Sequence, residues 1–240
     1  MLLALETSAE RGSVALFDGE HLLGEVRLDA RERHAASLLV CLDRLLGDVG
    51  RSLEDVDRIA LAIGPGSFTG LRIGLATALG LAFGTERLLV PVPTLAALAT
   101  QAGRPGLVAP VLDARRGEVY AGLYREDGSE VMADSCGSIE DLLARLPGDA
   151  PIAFLGEGAL AHRAEIVARL GGLAHFLPPE VAVLGAASVG RLGLRLAAAG
   201  LAVVPERVEL RYLRRAEAEV RRAEAEAKRL ALHPAGEPIP

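Results

Sequence analysis

Ile63-Gly64-Pro65-Gly66-Ser67-Phe68-Thr69-Gly70-Leu71-Arg72-Ile73-Gly74 joins an apolar run to a long apolar helix pattern, and the rest of the chain is read outward from it. Upstream, Asp57 to Ile63 passes from a polar start into Ile-Ala-Leu-Ala-Ile, which suits a strand buried on both faces. Gly64-Pro65-Gly66 is then the turn. Proline fixes its own φ and restricts its predecessor, while glycine reaches angles closed to other residues. Ser67 or Thr69 can cap the helix that follows, which is predicted to run to about Phe83. A glycine-rich turn opening a helix can hold a phosphate. The stricter patterns do not fit: a nucleotide-triphosphate loop needs a lysine that this stretch lacks, and a nucleophile elbow needs glycine two residues either side of its serine, where Ser67 has Pro65 and Thr69.

Gly66, Gly70, Gly74 and Ala78 recur every four residues, so one side of the helix is nearly flat. Each interior glycine costs about 0.5–1 kcal/mol relative to alanine, which calls for close approach of another backbone. Two readings stand side by side: packing on the chain's own sheet, or packing on a helix of another subunit. The spacing does not choose between them.

Half of the 240 residues are hydrophobic, enough for one generous core or two modest ones. The formal net charge is −6, aromatics make up 3% and there is no tryptophan, which argues against a chain that grips nucleic acid alone. Cys41 and Cys136 are far apart and suggest no disulfide framework. Met1 leads straight into Leu-Leu-Ala-Leu-Glu-Thr with no basic leader, and the apolar stretch Ile73 to Thr85 is too short to span a bilayer, so the expectation is a cytoplasmic protein with no membrane contact.

Along the chain, Leu2 to Thr7, Ser13 to Phe17 and His21 to Leu28 read as three antiparallel strands, with Asp18-Gly19 as a hairpin turn. A helix from about Arg33 to Leu46 follows, with Leu38, Leu39, Leu42, Leu45 and Leu46 on one face. After the central motif come a strand, Leu88 to Val92, and a helix opened by Pro93-Thr94. Gly103-Arg104-Pro105-Gly106 breaks the pattern, and the order then begins again: strands at Leu107 to Leu112, Glu118 to Arg125 and Glu130 to Ala133, a helix at Ile139 to Leu146, a strand at Pro151 to Leu155. Gly156-Glu157-Gly158 repeats the strand-to-glycine-to-helix junction, before a short strand, Leu173 to Phe176, and a last core helix, Gly185 to Ala199. This predicts a duplicated α/β fold with domains 1–103 and 104–213 and a charged helical tail, 214–240. In the tail, Glu217 with Arg221 and Glu224 with Lys228 have helical spacing, and an alanine-rich seam admits either a coiled coil or a solvated helix.

A strand-strand-strand-helix-strand-helix-strand-helix unit found twice resembles the actin, hexokinase and Hsp70-ATPase (ASKHA, ribonuclease H-like) superfamily. Leu5-Glu6-Thr7-Ser8, Ser13-Val14-Ala15-Leu16, Arg33-His34-Ala35-Ala36-Ser37-Leu38-Leu39, the Gly64 to Gly74 turn, Leu112-Asp113-Ala114-Arg115-Arg116-Gly117-Glu118-Val119-Tyr120 and Tyr212-Leu213-Arg214 are similar to the TsaB (YeaZ) family of tRNA threonylcarbamoyladenosine biosynthesis proteins. The resemblance implies a non-catalytic subunit that supports a metal-bearing TsaD transferase and helps recruit the TsaE ATPase. That assembly adds threonylcarbamoyl to the adenosine next to the anticodon of tRNAs reading codons that start with A. It further implies tRNA contact through the complex, ATP used by the partners with no cofactor or metal held stoichiometrically by this chain, and self-pairing when the partner is absent. The older peptidase label finds no support at Ser67. Glu6 stands where the family usually has aspartate. The alternative is an enzyme of the same superfamily, a small-molecule kinase or the carbamoyl transferase itself, using acids such as Glu6, Asp113 and Glu118; His21, His34, His162, His175 and His233 are scattered and form no metal-binding pair.

The expected interface is the surface of the two helices of the first half: Arg33, His34, Leu38, Leu42, Leu45, Leu71, Arg72, Gly74, Leu75, Ala78 and Leu81. No catalytic residue is expected. Thr7, Ser8, Gly64, Gly66 and Ser67 form a candidate vestigial phosphate turn.

Overall fold

The structure is a computed structural model that describes residues 1–9, 11–28, 35–103, 105–180 and 182–214. The tail expectations, which concern residues 215–240, and those for Arg33 and His34 lie outside the described residues.

Two five-stranded mixed sheets carry the fold. In the first, β1 (Leu2–Glu6), β4 (Arg58–Ala62) and β5 (Leu88–Val92) are parallel neighbours, and β2 (Ser13–Asp18) and β3 (His21–Arg27) extend the other side antiparallel, giving the order β3-β2-β1-β4-β5. In the second, β6 (Leu107–Arg115), β9 (Ile152–Leu155) and β10 (Ala174–Phe176) are parallel, and β7 (Glu118–Arg125) and β8 (Glu130–Gly137) are antiparallel, giving β10-β9-β6-β7-β8. Strand by strand the second order repeats the first. This is the duplicated ASKHA-like topology.

The side-chain alternation of each strand sorts residues between two packed faces. On the outer face of the first sheet, Leu3, Leu5, Val14, Leu16, Ile59 and Leu61 meet α1 (Ala35–Asp48) and α2 (Phe68–Ala82) through Leu38, Leu42, Leu45, Ala78 and Ala82. On the outer face of the second sheet, Val111, Val119, Ala121 and Phe154 meet α4 (Ile139–Arg145), α5 (Glu157–Ala161) and α6 (Arg163–Leu170). The single helix expected after Gly158 is broken at His162, whose φ of −103° leaves the α region.

The inner faces share one core. α3 (Thr94–Ala99), the last helix of the first half, packs on β6 and β7 of the second sheet. α7 (Ala186–Ala198), the last helix of the second half, lies across β1, β2, β4 and β5 of the first. The sequence permits this because the inner face of the first sheet is lined by Ala4, Ala15, Ala60 and Ala62 beside Phe17. A methyl group on Gly190 of α7 would overlap the Phe17 ring, and one on Gly193 would stand 2.6 Å from Ala60 Cβ. The first turn of α7 is held by Ser13 Oγ, which accepts from the Ala186 N–H at 2.8 Å, and by Glu25 Oε1, which accepts from Ala187 at 3.0 Å.

The glycine stripe of α2 serves the chain's own sheet. A methyl on Gly70 would overlap the Thr7 carbonyl, and one on Gly74 the Thr7 hydroxyl, so the stripe is the groove into which the end of β1 settles. Gly80, six residues beyond Gly74, has no atom within 4 Å of an added methyl. Gly74→Leu is therefore expected to destabilise the isolated chain by about 1–3 kcal/mol through overpacking, while Gly80→Ala stabilises it by about 0.5–1 kcal/mol. Urea denaturation of the two variants checks the pair; equal effects would contradict the assignment.

Candidate functional site

The carboxyl ends of the parallel strands are where open α/β sheets present ligands, and the central turn lies there. β1 ends at Glu6, whose side chain is completely buried. Its Oε1 accepts three hydrogen bonds from the loop that follows: the Ser8 N–H at 2.6 Å, the Ser8 hydroxyl at 2.5 Å and the Ala9 N–H at 3.1 Å. Oε2 has no hydrogen-bond partner among the described residues. Burial pushes the Glu6 carboxyl up to about 7, against the opposing pull of the Ser8 and Ala9 donors and the more distant Arg27 charge. The loop amides that a phosphate would need are thus committed to the chain's own carboxylate.

The Ile63 to Ser67 turn closes over this loop. The Ser8 carbonyl accepts the Ser67 N–H at 2.8 Å, and a methyl on Gly66 would stand 2.7 Å from that carbonyl oxygen. Gly64 has a φ of 111°, donates its N–H to Thr94 Oγ1 at 3.1 Å and accepts the Thr94 N–H at 3.0 Å. Gly64-Pro65 is a cis peptide. Ser67 is the N-cap of α2, its Oγ accepting from the Gly70 N–H at 3.2 Å, as the sequence allows. Thr7, Ser8, Gly64, Gly66 and Ser67 therefore do come together, as a clasp in which the Ser8 and Gly64 backbones and the Ser67 N–H and hydroxyl bond to other groups of the chain.

On its other side the turn meets a segment from the far end of the chain. Arg211 donates its backbone N–H to the Ile63 carbonyl at 2.7 Å, and its own carbonyl covers Gly64 closely enough to exclude a methyl there. Tyr212 packs on Phe68 with ring centroids 4.9 Å apart and accepts from Arg72 Nε at 3.3 Å, while the Arg72 guanidinium lies 3.9 Å over the Phe68 ring. Arg211 Nη1 lies 3.2 Å from Asp134 Oδ2, near enough for an ion pair though not aligned as a hydrogen bond. Asp134 is buried, which raises its carboxyl above the usual range, and its Oδ1 accepts from the Tyr124 hydroxyl. Nothing in the spacing of Asp134 and Tyr124 marked them beforehand, since they meet only through the β7–β8 register. Tyr212-Leu213-Arg214, an aromatic and arginine run after the last core helix, was the available signal for the segment that reaches them.

Asp113 and Glu118 support a hairpin. Asp113 Oδ1 accepts the Arg115 N–H at 2.7 Å, and Glu118 Oε2 lies 3.6 Å from Arg214 Nη1. The second glycine junction repeats the close approach, since a methyl on Gly156 would overlap the Val111 carbonyl and one on Gly158 would stand 3.0 Å from it. Among the described residues no three of histidine, cysteine, aspartate and glutamate converge to hold a metal ion.

The expected interface set needs correction. Leu38, Leu42, Leu45, Leu71 and Ala78 are buried within the chain, Gly74 is filled by Thr7, and Leu75 and Leu81 are half-buried against the same outer core. A leucine stripe at helical spacing marks the face turned to a helix's own sheet. Arg72 is exposed but engaged with Phe68 and Tyr212. What these helices leave to solvent is a different apolar set: Leu39, Val40, Leu79 and Phe83, the last 88% exposed.

Two copies of one sheet order, exchanged terminal helices and a glycine clasp at the strand ends define an ASKHA-fold protein whose strand-end turn is packed by its own chain. A family model described as TsaD, tRNA N6-adenosine threonylcarbamoyltransferase, matches residues 24–221. The tRNA threonylcarbamoyladenosine biosynthesis protein TsaB of Bacillus subtilis (strain 168) is 33% identical over 178 residues, covering 71% of this chain and 76% of that protein. The protein of the same name from Escherichia coli (strain K12) is 40% identical over 129 residues, covering 52% and 55%. The solved structure of YeaZ from Pseudomonas aeruginosa superposes with a TM-score of 0.74 at 32% identity, covering 88% of this chain and 99% of that one. The chain belongs to the TsaB (YeaZ) family, and it matches the model that carries the transferase's name.

The Glu6 geometry has a pH signature. A carboxyl whose folded value lies above its ordinary 4.5 favours folding while protonated, so its contribution is fully present below about pH 4.5 and is lost as pH rises through about 7. Glu6→Gln removes the titration. Between pH 8 and pH 4.5 the wild-type chain should gain about 3 kcal/mol relative to the variant, at 1.36 kcal/mol for each pH unit of displacement. Urea melts of both proteins at the two pH values test this; a constant difference would contradict it.

Proposed function

We propose that this chain acts in tRNA threonylcarbamoyladenosine biosynthesis as a non-catalytic subunit that binds and supports the transferase of the TsaD type. In this reading the assembly modifies the adenosine next to the anticodon of tRNAs reading codons that start with A. A TsaE-type ATPase and the tRNA are engaged by the assembly, and ATP is used by the partners. The observation that carries the reading is the apolar face of α1 and α2. Leu39 and Val40 in α1, and Leu79 in α2 with Phe83 just after it, stand exposed while Leu38, Leu42, Leu45 and Leu71 are buried, and we take the four exposed residues as the surface a partner covers. The names of the relatives point to the process, and the match to the transferase model points to a partner of the same fold, which can present a similar pair of helices.

The kinase or transferase alternative would need free donors at the β1–β2 loop, and those of Ser8 and Ala9 are taken by Glu6. The net charge of −6 supports contact with tRNA through the assembly.

Val40→Glu with Phe83→Glu places charge on the exposed face without touching the core. The double variant should melt within about 0.5 kcal/mol of the parent, as surface changes do, and should no longer co-elute with the transferase subunit in size-exclusion chromatography. Undiminished co-elution would overturn the assignment of this face. If the parent chain also pairs with itself, the same variant is expected to run as a monomer.

A further inference from the structure

The segment from Val208 to Arg214 touches both halves of the molecule at the strand ends. Before it, Val203 pairs with Leu89 on the edge of β5, through two backbone hydrogen bonds of 2.8 and 2.9 Å, and Val208 is buried in the outer core of the first half. Its backbone is then bonded to Ile63, and Tyr212 packs on Phe68 and Arg72, all in the first half. Its guanidinium groups reach the second half. Arg211 lies against buried Asp134 in β8, with Glu130 4.0 Å from Nη2, and Arg214 Nη1 donates to the Ala114 carbonyl at 2.7 Å beside Glu118. Seven residues thus bridge the end of β4 and the end of β6.

We propose that residues 208–214 are a strap that locks the angle between the two halves at the strand ends. Paired lobes of one chain can turn about hinges, a motion that a large apolar interface between them limits and that fixed contacts at its rim stop. The shared core of α3 and α7 is mostly apolar, with directional bonds from Ser13 and Glu25 only at the start of α7, and the strap adds polar, directional contacts to both halves at the strand ends. Turning the halves apart would draw Arg211 from Asp134, whose side chain is 0% exposed, and would leave that carboxylate buried without its cation. It would also lift the Arg211 backbone from Gly64, where the missing side chain admits it.

Inter-half distances test this on the full chain. Cysteines introduced at exposed Asp43 in α1 and Glu140 in α4, with Cys41 and Cys136 changed to serine, carry spin labels for pulsed electron paramagnetic resonance. The strapped parent should give one narrow distance distribution, and Arg211→Ala with Arg214→Ala should add a second, longer-distance population while circular dichroism stays unchanged. A broad distribution in the parent, or a narrow one in the folded double variant, would overturn the proposal. Should the double variant fail to fold, Tyr212→Ala and Arg214→Ala are read singly, because both remove contacts at the surface and leave Asp134 paired. Broadening in either supports the strap, and narrow distributions in both overturn it.

Discussion

Gly64 and Gly66 are held between two backbones, and the rest of the architecture at the strand ends follows from that confinement. On one side the Ser8 carbonyl fills the space a side chain on Gly66 would need; on the other the Arg211 carbonyl does the same at Gly64. Each contact is fixed by a hydrogen bond, Ser67 N–H to Ser8 and Arg211 N–H to Ile63. The turn therefore ties together the β1–β2 loop, the start of α2 and the last described segment of the chain. Buried backbone groups must find partners, and here they find them within the protein. A loop rich in free amides would be an anion site. This one is filled by the chain's own Glu6 carboxyl.

The same device, glycine used to let backbones touch, recurs where the halves meet. Gly190 and Gly193 let α7 sink onto the alanine-lined inner face of the first sheet. Exchange of α3 and α7 between the halves makes one inner core from two repeats, so a cut at the glycine cluster near residue 103 would expose apolar surface on both sides. Duplication and exchange together explain why the chain's strand order repeats while its packing is shared.

Strand and helix order were legible because each element carries its own period and its own punctuation, from Asp18-Gly19 to Gly156-Glu157-Gly158. The apolar residues that the outer helices leave to solvent were not, and the reason is physical. Leu38, Leu42 and Leu45 form the strongest apolar stripe on α1, and that stripe belongs to the core; the apolar residues left to solvent, Val40 and Phe83 among them, break the period and read as noise. The destination of the glycine stripe was also open, because four-residue spacing records close approach without recording of what. Thr7 supplies the answer through a long-range fold that no local pattern encodes. Arg211 and Asp134 are 77 residues apart in the numbering and meet by the same long-range route.

Function in this reading comes from surfaces more than from chemistry. The strand ends, where a relative of this fold could hold a ligand, are filled by Glu6, Ser8 and Arg211, while the outer helices carry the unsatisfied apolar groups. Amide hydrogen exchange at Ser8, Ala9 and Ser67 tests that division most directly, measured with and without magnesium ATP. Slow exchange in the free chain, unchanged by nucleotide, is the result expected of a self-occupied clasp. Fast exchange that slows when nucleotide is added would show an open phosphate site and contradict the account.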